Sequence, residues 1–194
     1  TRDRLVDLAE RAFGALGFHD VAALDFRLGP DGQIHFWSAT ALPSFEQGTA
    51  LFVASQAVGM DYEQTVLAVL RAAAARSGLQ SALEATKARP RSRKTQLTVG
   101  FAFNVKRIES HDGDDREAEY DSPKTIDSIA KAIESFGHVV MPLEANQDFP
   151  RVLMSSNVDV VFNIAEGISG RNREAQVPNL CELMGVPYTG SDSA

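Results

Sequence analysis

The sequence of 194 residues contains a single cysteine and no long apolar run. One thiol excludes an intramolecular disulfide, so we expect a reducing, cytoplasmic compartment. Cys181 lies in an apolar helical pattern, which predicts a small core residue. No stretch approaches the roughly 20 apolar residues that a membrane-spanning helix needs, and the first residues do not resemble a signal peptide. A membrane protein is therefore not expected.

An excess of positive charge is also absent, because the formal net charge is −7. Nucleic acids and anionic membranes attract clustered Lys and Arg, so neither is an expected partner. The chain begins at Thr1 without a methionine, which predicts a fragment or a processed piece of a longer protein. With 44% apolar and 23% charged residues, the composition is typical of one globular domain or two small ones.

The first 76 residues predict a module of helix, hairpin, loop and helix. Apolar residues recur at helical spacing over residues 2–16, and Gly17 follows where a left-handed residue often ends a helix. The stretches VAALDFRL and QIHFWS flank GPDG, which has the turn chemistry of a β-hairpin. Asp61 and Gln64 predict a capping box for a helix over about 62–75.

Residues 77–94 predict an exposed basic linker. The stretch loses helical periodicity and is rich in basic side chains, which favours a solvated tether over an anion-binding patch. These basic residues are Lys87, Arg89, Arg91, Arg93 and Lys94.

Residues 95–194 predict an α/β domain. Buried strands are expected at QLTVGFAF, HVVMPL and VDVVFNI, and helices are expected after Ser122, at Phe149–Met154 and at Arg173–Met184. Apolar strands that alternate with helices predict a parallel sheet covered on both faces. Ligands collect at the carboxyl ends of such strands. The polar loops that follow the strands are therefore candidate site residues.

The loop AEGISGRNRE, after the third strand, is the first candidate for a ligand site. Gly167 and Gly170 permit close backbone approach or positive φ. Glu166, Arg171 and Arg173 carry charges that would orient an amino acid or a phosphate. The alternative is that Arg171 and Glu174 are ordinary helix-start charges. A plain nucleotide-binding Rossmann domain is disfavoured, because no G-x-G-x-x-G follows the strand QLTVGFAF.

The run DVVFNIAEGISGRNREAQVPNLCELMGVPYTGSDSA, preceded by LTVGFAFNVKR and EYDSPKTIDSIAKAIESFGH, resembles the N-terminal domain of D-alanine:D-alanine ligase-like proteins of the ATP-grasp superfamily. The resemblance implies a Rossmann-like parallel-sheet domain that supplies part of an amino-acid subsite. It implies that Glu166 and Gly167 lie beside the first substrate, where many ligases of the family have a histidine and a glycine. Glu119, or alternatively Glu117, would receive the substrate ammonium.

The first module resembles the C-terminal end of an ATP-grasp domain, an α+β fragment with antiparallel strands. In that family an Asp on one strand and a Glu-x-Asn on the next hold the magnesium ions that bridge the ATP phosphates, because Mg²⁺ prefers hard oxygen ligands. Asp25 matches the Asp, but Ser38 and Thr40 replace the Glu and the Asn. Ala23 replaces an arginine, and Ser44 replaces a glycine. These departures predict a catalytically degenerate copy in which Asp25 is a remnant of the metal site.

An ATP-grasp tail followed by an ATP-grasp head is the order expected at the junction of a tandem fusion. A circular permutation and a chain with omitted regions are the alternatives. The resemblance implies a parent ligase that uses ATP and Mg²⁺ to activate an amino-acid carboxylate as an acyl phosphate, which a second amine then attacks.

This piece itself is expected to supply an amino-acid subsite and scaffold, without catalysis and without tight binding of ATP or Mg²⁺. Its expected partners are the small amino-acid substrate, the rest of the parent chain and, as a further option, a second copy in a homodimer. The competing hypothesis is a non-catalytic module that binds an amino acid or nucleotide, or that serves assembly.

Overall fold

The computed structural model describes residues 2–79, 96–107 and 117–192. The first described stretch contains α1 (Arg2–Ala15), β1 (Ala23–Leu28), β2 (Ile34–Thr40), α2 (Ala50–Ala57) and α3 (Tyr62–Arg76). The other two stretches contain β3 (Thr98–Phe103), α4 (Pro123–Ser135), β4 (Val139–Glu144), α5 (Phe149–Ser155), β5 (Val160–Asn163), a 3₁₀ turn (Arg173–Ala175) and α6 (Gln176–Met184). The predicted α/β character is confirmed.

The predicted elements of the first module are confirmed, but one helix was missed. Strands β1 and β2 pair antiparallel with a bulge after Asp25. The capping box at the start of α3 is present, since the Asp61 carboxylate accepts the Gln64 N–H at 2.7 Å and the Gln64 side chain accepts the Asp61 N–H at 3.0 Å. Helix α2 was expected to be loop. Its eight residues are too few for a clear helical period, and its N-terminus has no side-chain cap.

The second module contains a three-stranded parallel sheet with the strand order β4-β3-β5. The predicted helix after Ser122 is confirmed, and the Ser122 hydroxyl accepts the Thr125 N–H at 3.1 Å. The helix predicted over Arg173–Met184 is divided into the 3₁₀ turn and α6. Gly100 lies on the central strand, where an added Cβ would lie 2.7 Å from a Leu143 methyl carbon. Glycine therefore allows close packing on this sheet face.

Helices cover both faces of the parallel sheet, as the apolar strands predicted. Helices α3 and α4 pack on one face through a cluster that includes Leu70, Ile133 and Phe101. Helices α5 and α6 pack on the other face through a second cluster that includes Leu153 and Cys181. Cys181 is the buried core residue expected from sequence, and burial raises the pKa of its thiol to about 12.

The two modules are in contact through a shared core. Helix α3 is part of the first module in sequence, but it packs on the sheet of the second. A polar contact lies nearby: Arg76, at the end of α3, donates to Asp20 at 2.8 Å and to the Tyr188 carbonyl at 2.8 Å, while Asp20 accepts the Gly190 N–H at 3.0 Å. Most of the predicted linker, residues 80–94, lies outside the described residues. The division of the chain at residues 76 and 94 stays a prediction.

Among the described residues, the side chains of His35 and Trp37 on β2 are not packed against a neighbouring helix or sheet. Both side chains are exposed, and Trp37 is 65% exposed. Phe26 and Phe36 lie on the hairpin face that turns towards α1, where their ring centroids are 5.8 Å apart in an edge-to-face arrangement and Phe36 is 47% exposed. The opposite face bears Trp37, whose ring centroid lies 4.7 Å from the Arg27 guanidinium carbon. Among the described helices, none has the length and apolar character needed to cross a bilayer.

Candidate functional site

A polar cavity of about 370 Å³ lies where the first module meets the carboxyl edge of the parallel sheet. Three segments form its wall: the loop after β2, the segment that leads into α4 and the loop after β5. The lining residues with polar or charged side chains are Thr40, Ser44, Glu46, Glu119, Tyr120, Asp121, Ser122, Thr125, Glu166 and Glu174. The site is therefore at the strand ends where the sequence predicted it, but the first module supplies one side.

The cavity is strongly anionic. Five carboxylates line it, and none of its described lining residues is Lys, Arg or His. Burial raises the pKa of Glu166 to about 7, with further contributions from the charges of Glu174 and Asp121. Burial, followed by the charge of Glu46, raises the pKa of Asp121 to about 6. Both shifts favour the neutral acid, because nearby negative charges and poor solvation oppose ionisation. Such a cavity attracts cations and repels anions.

Gly167 fixes the backbone that carries Glu166. Its N–H donates to the Asn104 side-chain oxygen at 2.9 Å, and its carbonyl accepts the Tyr120 hydroxyl at 3.1 Å. Its φ is +79°, and an added Cβ would lie 2.1 Å from the Arg173 carbonyl oxygen. Glycine is required for both reasons. The close approach expected at Gly167 is thus to the 3₁₀ turn, and Gly167 itself is buried and outside the set of lining residues.

The two glutamates proposed for the substrate ammonium lie in different surroundings. Glu119 lines the cavity and forms an ion pair with Arg173. Glu117 accepts the Arg107 backbone N–H at 2.6 Å and is not among the residues that line the cavity. Of the two alternatives, only Glu119 lines the cavity. Because Arg173 already neutralises Glu119, the charge that faces the cavity comes mainly from the other carboxylates.

Arg171 lines a second cavity of about 300 Å³, which shares Leu42 and Glu174 with the anionic one. Asn163, Asn172, Ser191 and Asp192 supply further polar side chains there, so two carboxylates, Glu174 and Asp192, line this cavity beside the single guanidinium. The sequence prediction therefore named residues on both sides of a divided cleft. One part is rich in carboxylates, and the other contains an exposed guanidinium.

The residues predicted to be the remnant of a metal site do not fit magnesium. The Asp25 carboxylate is exposed and accepts the Ser38 hydroxyl at 2.7 Å. Thr40 lies at the wall of the anionic cavity. One carboxylate and two hydroxyls lack the charged oxygen set that Mg²⁺ requires. Within residues 2–79, 96–107 and 117–192, no group of three or more His, Cys, Asp or Glu side chains is arranged to hold a metal ion.

Glu46 and Asp121 are cavity residues that the sequence did not single out, and Glu174 was weighed only as a helix-start charge. Asp121 could have been found, because it directly precedes the N-cap Ser122 at the carboxyl edge of the sheet. Glu46 could not, because it comes from the other module and approaches the cavity only through the packing of the two.

Comparison with known proteins confirms the resemblance to D-alanine–D-alanine ligases over about a third of the chain. The D-alanine–D-alanine ligase of Geobacter sulfurreducens is 39% identical over 64 residues, 33% of this chain and 20% of the relative. The ligase of Aquifex aeolicus is 36% identical over 72 residues, 37% of this chain and 24% of the relative. An uncharacterized protein of Sinorhizobium fredii, y4sG, is 36% identical over 76 residues, 35% of this chain and 23% of the relative.

The chain spans about a fifth to a quarter of the length of these curated relatives. No protein-family model matches the chain. No solved structure matches it either.

Proposed function

We propose that this chain is part of an ATP-dependent carboxylate–amine ligase and that it supplies the amino-acid subsite of that enzyme. The parallel-sheet module corresponds to the N-terminal domain of a D-alanine:D-alanine ligase-like protein. The first module corresponds to the C-terminal end of a degenerate ATP-grasp copy. The similarity to named D-alanine–D-alanine ligases over a third of the chain supports the family assignment.

The divided cleft at the carboxyl edge of the sheet carries the proposal. An amino acid is a zwitterion, and its two charged groups need surroundings of opposite charge. The cavity with Glu166 would hold the ammonium, and in the neighbouring cavity the Arg171 guanidinium would pair with the carboxylate at a distance from Glu174 and Asp192 that the ligand sets by its position. Glu174 and Leu42 lie on the boundary between the two parts. A ligand of amino-acid size could therefore span both.

Catalysis is assigned to other parts of the parent protein. The donor set formed by Asp25, Ser38 and Thr40 does not fit Mg²⁺, so no step of phosphoryl transfer is placed on these residues. The residues of this chain bind the substrate and orient its carboxylate. Such positioning is a substantial contribution to a ligase, because two reactants held in the correct geometry no longer have to meet by diffusion.

A non-catalytic module that binds an amino acid is the second candidate. The incomplete metal donor set favours it, because a protein that only binds an amino acid needs no magnesium. Both candidates share the same cleft and differ in the fate of ATP. Amide formation coupled to ATP hydrolysis by the parent protein would support the ligase, and amino-acid binding with no such turnover would support the binding module.

Titration calorimetry of D-alanine and L-alanine into this chain tests the subsite. We expect weak, saturable binding that Arg171→Ala reduces and that Glu166→Ala abolishes. Arg151→Ala is the matched control for the first variant, because Arg151 is exposed and pairs with Asp148 outside the cleft. Binding that is equally sensitive to Arg151→Ala, or no binding of any amino acid, would contradict the proposed subsite.

A further inference from the structure

The anionic cavity holds more negative charge than a single ammonium can offset. Of its five carboxylates, only Glu119 has a described cationic partner, which is Arg173. The four that remain are Glu46, Asp121, Glu166 and Glu174, and with Glu166 about half protonated at neutral pH they carry about three negative charges. A ligand with one positive charge would leave most of this charge uncompensated in a partly enclosed space, which is costly.

The four carboxylates are distributed around the wall and are not gathered at one point. Glu46 lies on the first module, Asp121 precedes α4, and Glu166 and Glu174 lie beyond β5. Among the described residues they do not form a group that could coordinate a metal ion. A cavity of about 370 Å³ is within the usual range of small-ligand pockets. These features suit an elongated organic cation better than a compact ion.

Glu46 is held at the cavity by the residues around it. The adjacent Phe45 is buried, and its ring lies 5.4 Å from the ring of Phe162 on the parallel sheet. The Glu46 N–H donates to the Ser44 hydroxyl at 3.2 Å, and its carbonyl accepts the Thr49 hydroxyl at 2.8 Å. The Phe45 contact fixes the loop against the second module and the two hydrogen bonds hold the Glu46 backbone within the loop, so the exposed Glu46 side chain starts from a fixed point at the cavity wall.

We infer that Glu46 is a specificity-determining residue and that it selects an amino acid with a cationic side chain, such as one with a terminal amine. This inference rests on the proposed amino-acid subsite and names its substrate class. The α-ammonium would lie against the carboxylates near Glu166, and the second cation would lie between Glu46 and Asp121. A loop from the degenerate copy thereby takes part in recognition, although its metal ligands have been replaced.

The test is calorimetric titration of lysine and norleucine, each as the D and the L form, into the complete 194-residue chain. Norleucine has the same carbon chain as lysine and lacks the terminal ammonium. The titrations are repeated with Glu46→Gln, and with Glu10→Gln as a control that removes the same charge from an exposed position on α1. Alanine is titrated alongside as a ligand without a second cation.

We expect lysine to bind at least about tenfold more tightly than norleucine. Glu46→Gln should reduce lysine affinity by about 3- to 10-fold and leave norleucine and alanine affinity unchanged. Glu10→Gln should change neither. If alanine, norleucine and lysine bind equally well, the inference about specificity is wrong and the amino-acid subsite stands. If none of them binds, the proposed function of this chain fails together with the inference.

Discussion

Replacing Glu166 by Gln should stabilise the fold above neutral pH and have little effect near pH 4.5. The pKa of Glu166 is raised from 4.5 to about 7, mainly by burial and secondarily by Glu174 and Asp121. Between these pH values the folded state binds the proton more tightly than the unfolded state does. The stabilisation from the protonated carboxyl is therefore complete below pH 4.5 and is lost as pH rises through about 7.

The magnitude follows from the size of the pKa shift. A shift from 4.5 to about 7 corresponds to an upper bound of about 3 kcal/mol. Glu166 is only partly buried, so solvent screening reduces this value, and we expect about 1–2 kcal/mol at pH 8. For a chain of this size that corresponds to a rise of roughly 2–8 °C in melting temperature.

Thermal or urea unfolding at pH 5 and pH 8 measures the effect, with Glu10→Gln as the control for removal of one negative charge. The increase in the free energy of unfolding caused by Glu166→Gln should be larger at pH 8 than at pH 5. In a chain that also carries Glu174→Gln this increase should be smaller, because the charge of Glu174 is one cause of the raised pKa of Glu166. Equal gains at the two pH values, or an equal gain with Glu10→Gln, would refute the assignment of a raised pKa to Glu166.

Three further predictions concern other parts of the structure. Gly167→Ala should lower the free energy of unfolding by about 2–4 kcal/mol, because it adds a clash with a backbone carbonyl to the strain of positive φ. In the control Gly170→Ala the new methyl group meets no atom within 4 Å, so the loss should be only about 1–2 kcal/mol. Equal losses for the two variants in chemical denaturation would contradict the clash. Asp20→Asn should lower the free energy of unfolding by about 1–3 kcal/mol, because the Asp20 side chain is 3% exposed and pairs with Arg76 at the end of α3. The control Asp7→Asn removes a carboxylate from an exposed ion pair and should change stability by less than about 0.5 kcal/mol. Similar melting temperatures for the two variants would count against the contact between modules. Titration of Mn²⁺ into the chain should give no saturable binding, because Asp25, Ser38 and Thr40 lack the charged oxygen ligands that such a cation requires. A binding signal that Asp25→Asn removes would show that these residues still bind a cation.

Much of the fold could be predicted because it depends on local signals. Apolar strands that alternate with helices predicted the parallel sheet, and the caps at Asp61 and Ser122 predicted where α3 and α4 begin. The polar loops at the carboxyl ends of the strands predicted a ligand site at this edge of the sheet, and a polar cavity lies there. These signals are local because capping and periodicity involve residues only a few positions apart.

What could not be predicted depends on packing between distant segments. Glu46 and Glu166 are 120 positions apart in sequence and line one cavity. Nothing in the local pattern of either indicates the other. The same holds for Asp20 and Arg76, whose contact forms only when the first module packs on the second. Helix α3 was correctly predicted as a helix, but its apolar side did not reveal that it would cover the parallel sheet.

The proposed function has the first module lose magnesium chemistry and still contribute to the cavity, and the burial of its residues is consistent with both. Ser38 and Thr40 are not buried, so exchanging metal ligands at these positions costs the fold little. Phe45 is buried against Phe162, and removing a side chain of this kind from a core typically costs about 3–5 kcal/mol. Within the segment from β2 to the following loop, the side chain that packs in the core, Phe45, is therefore different from those at the predicted metal-ligand positions, Ser38 and Thr40. Since the packing holds the loop that carries Glu46 at the cavity wall, the first module can take part in substrate recognition without binding ATP.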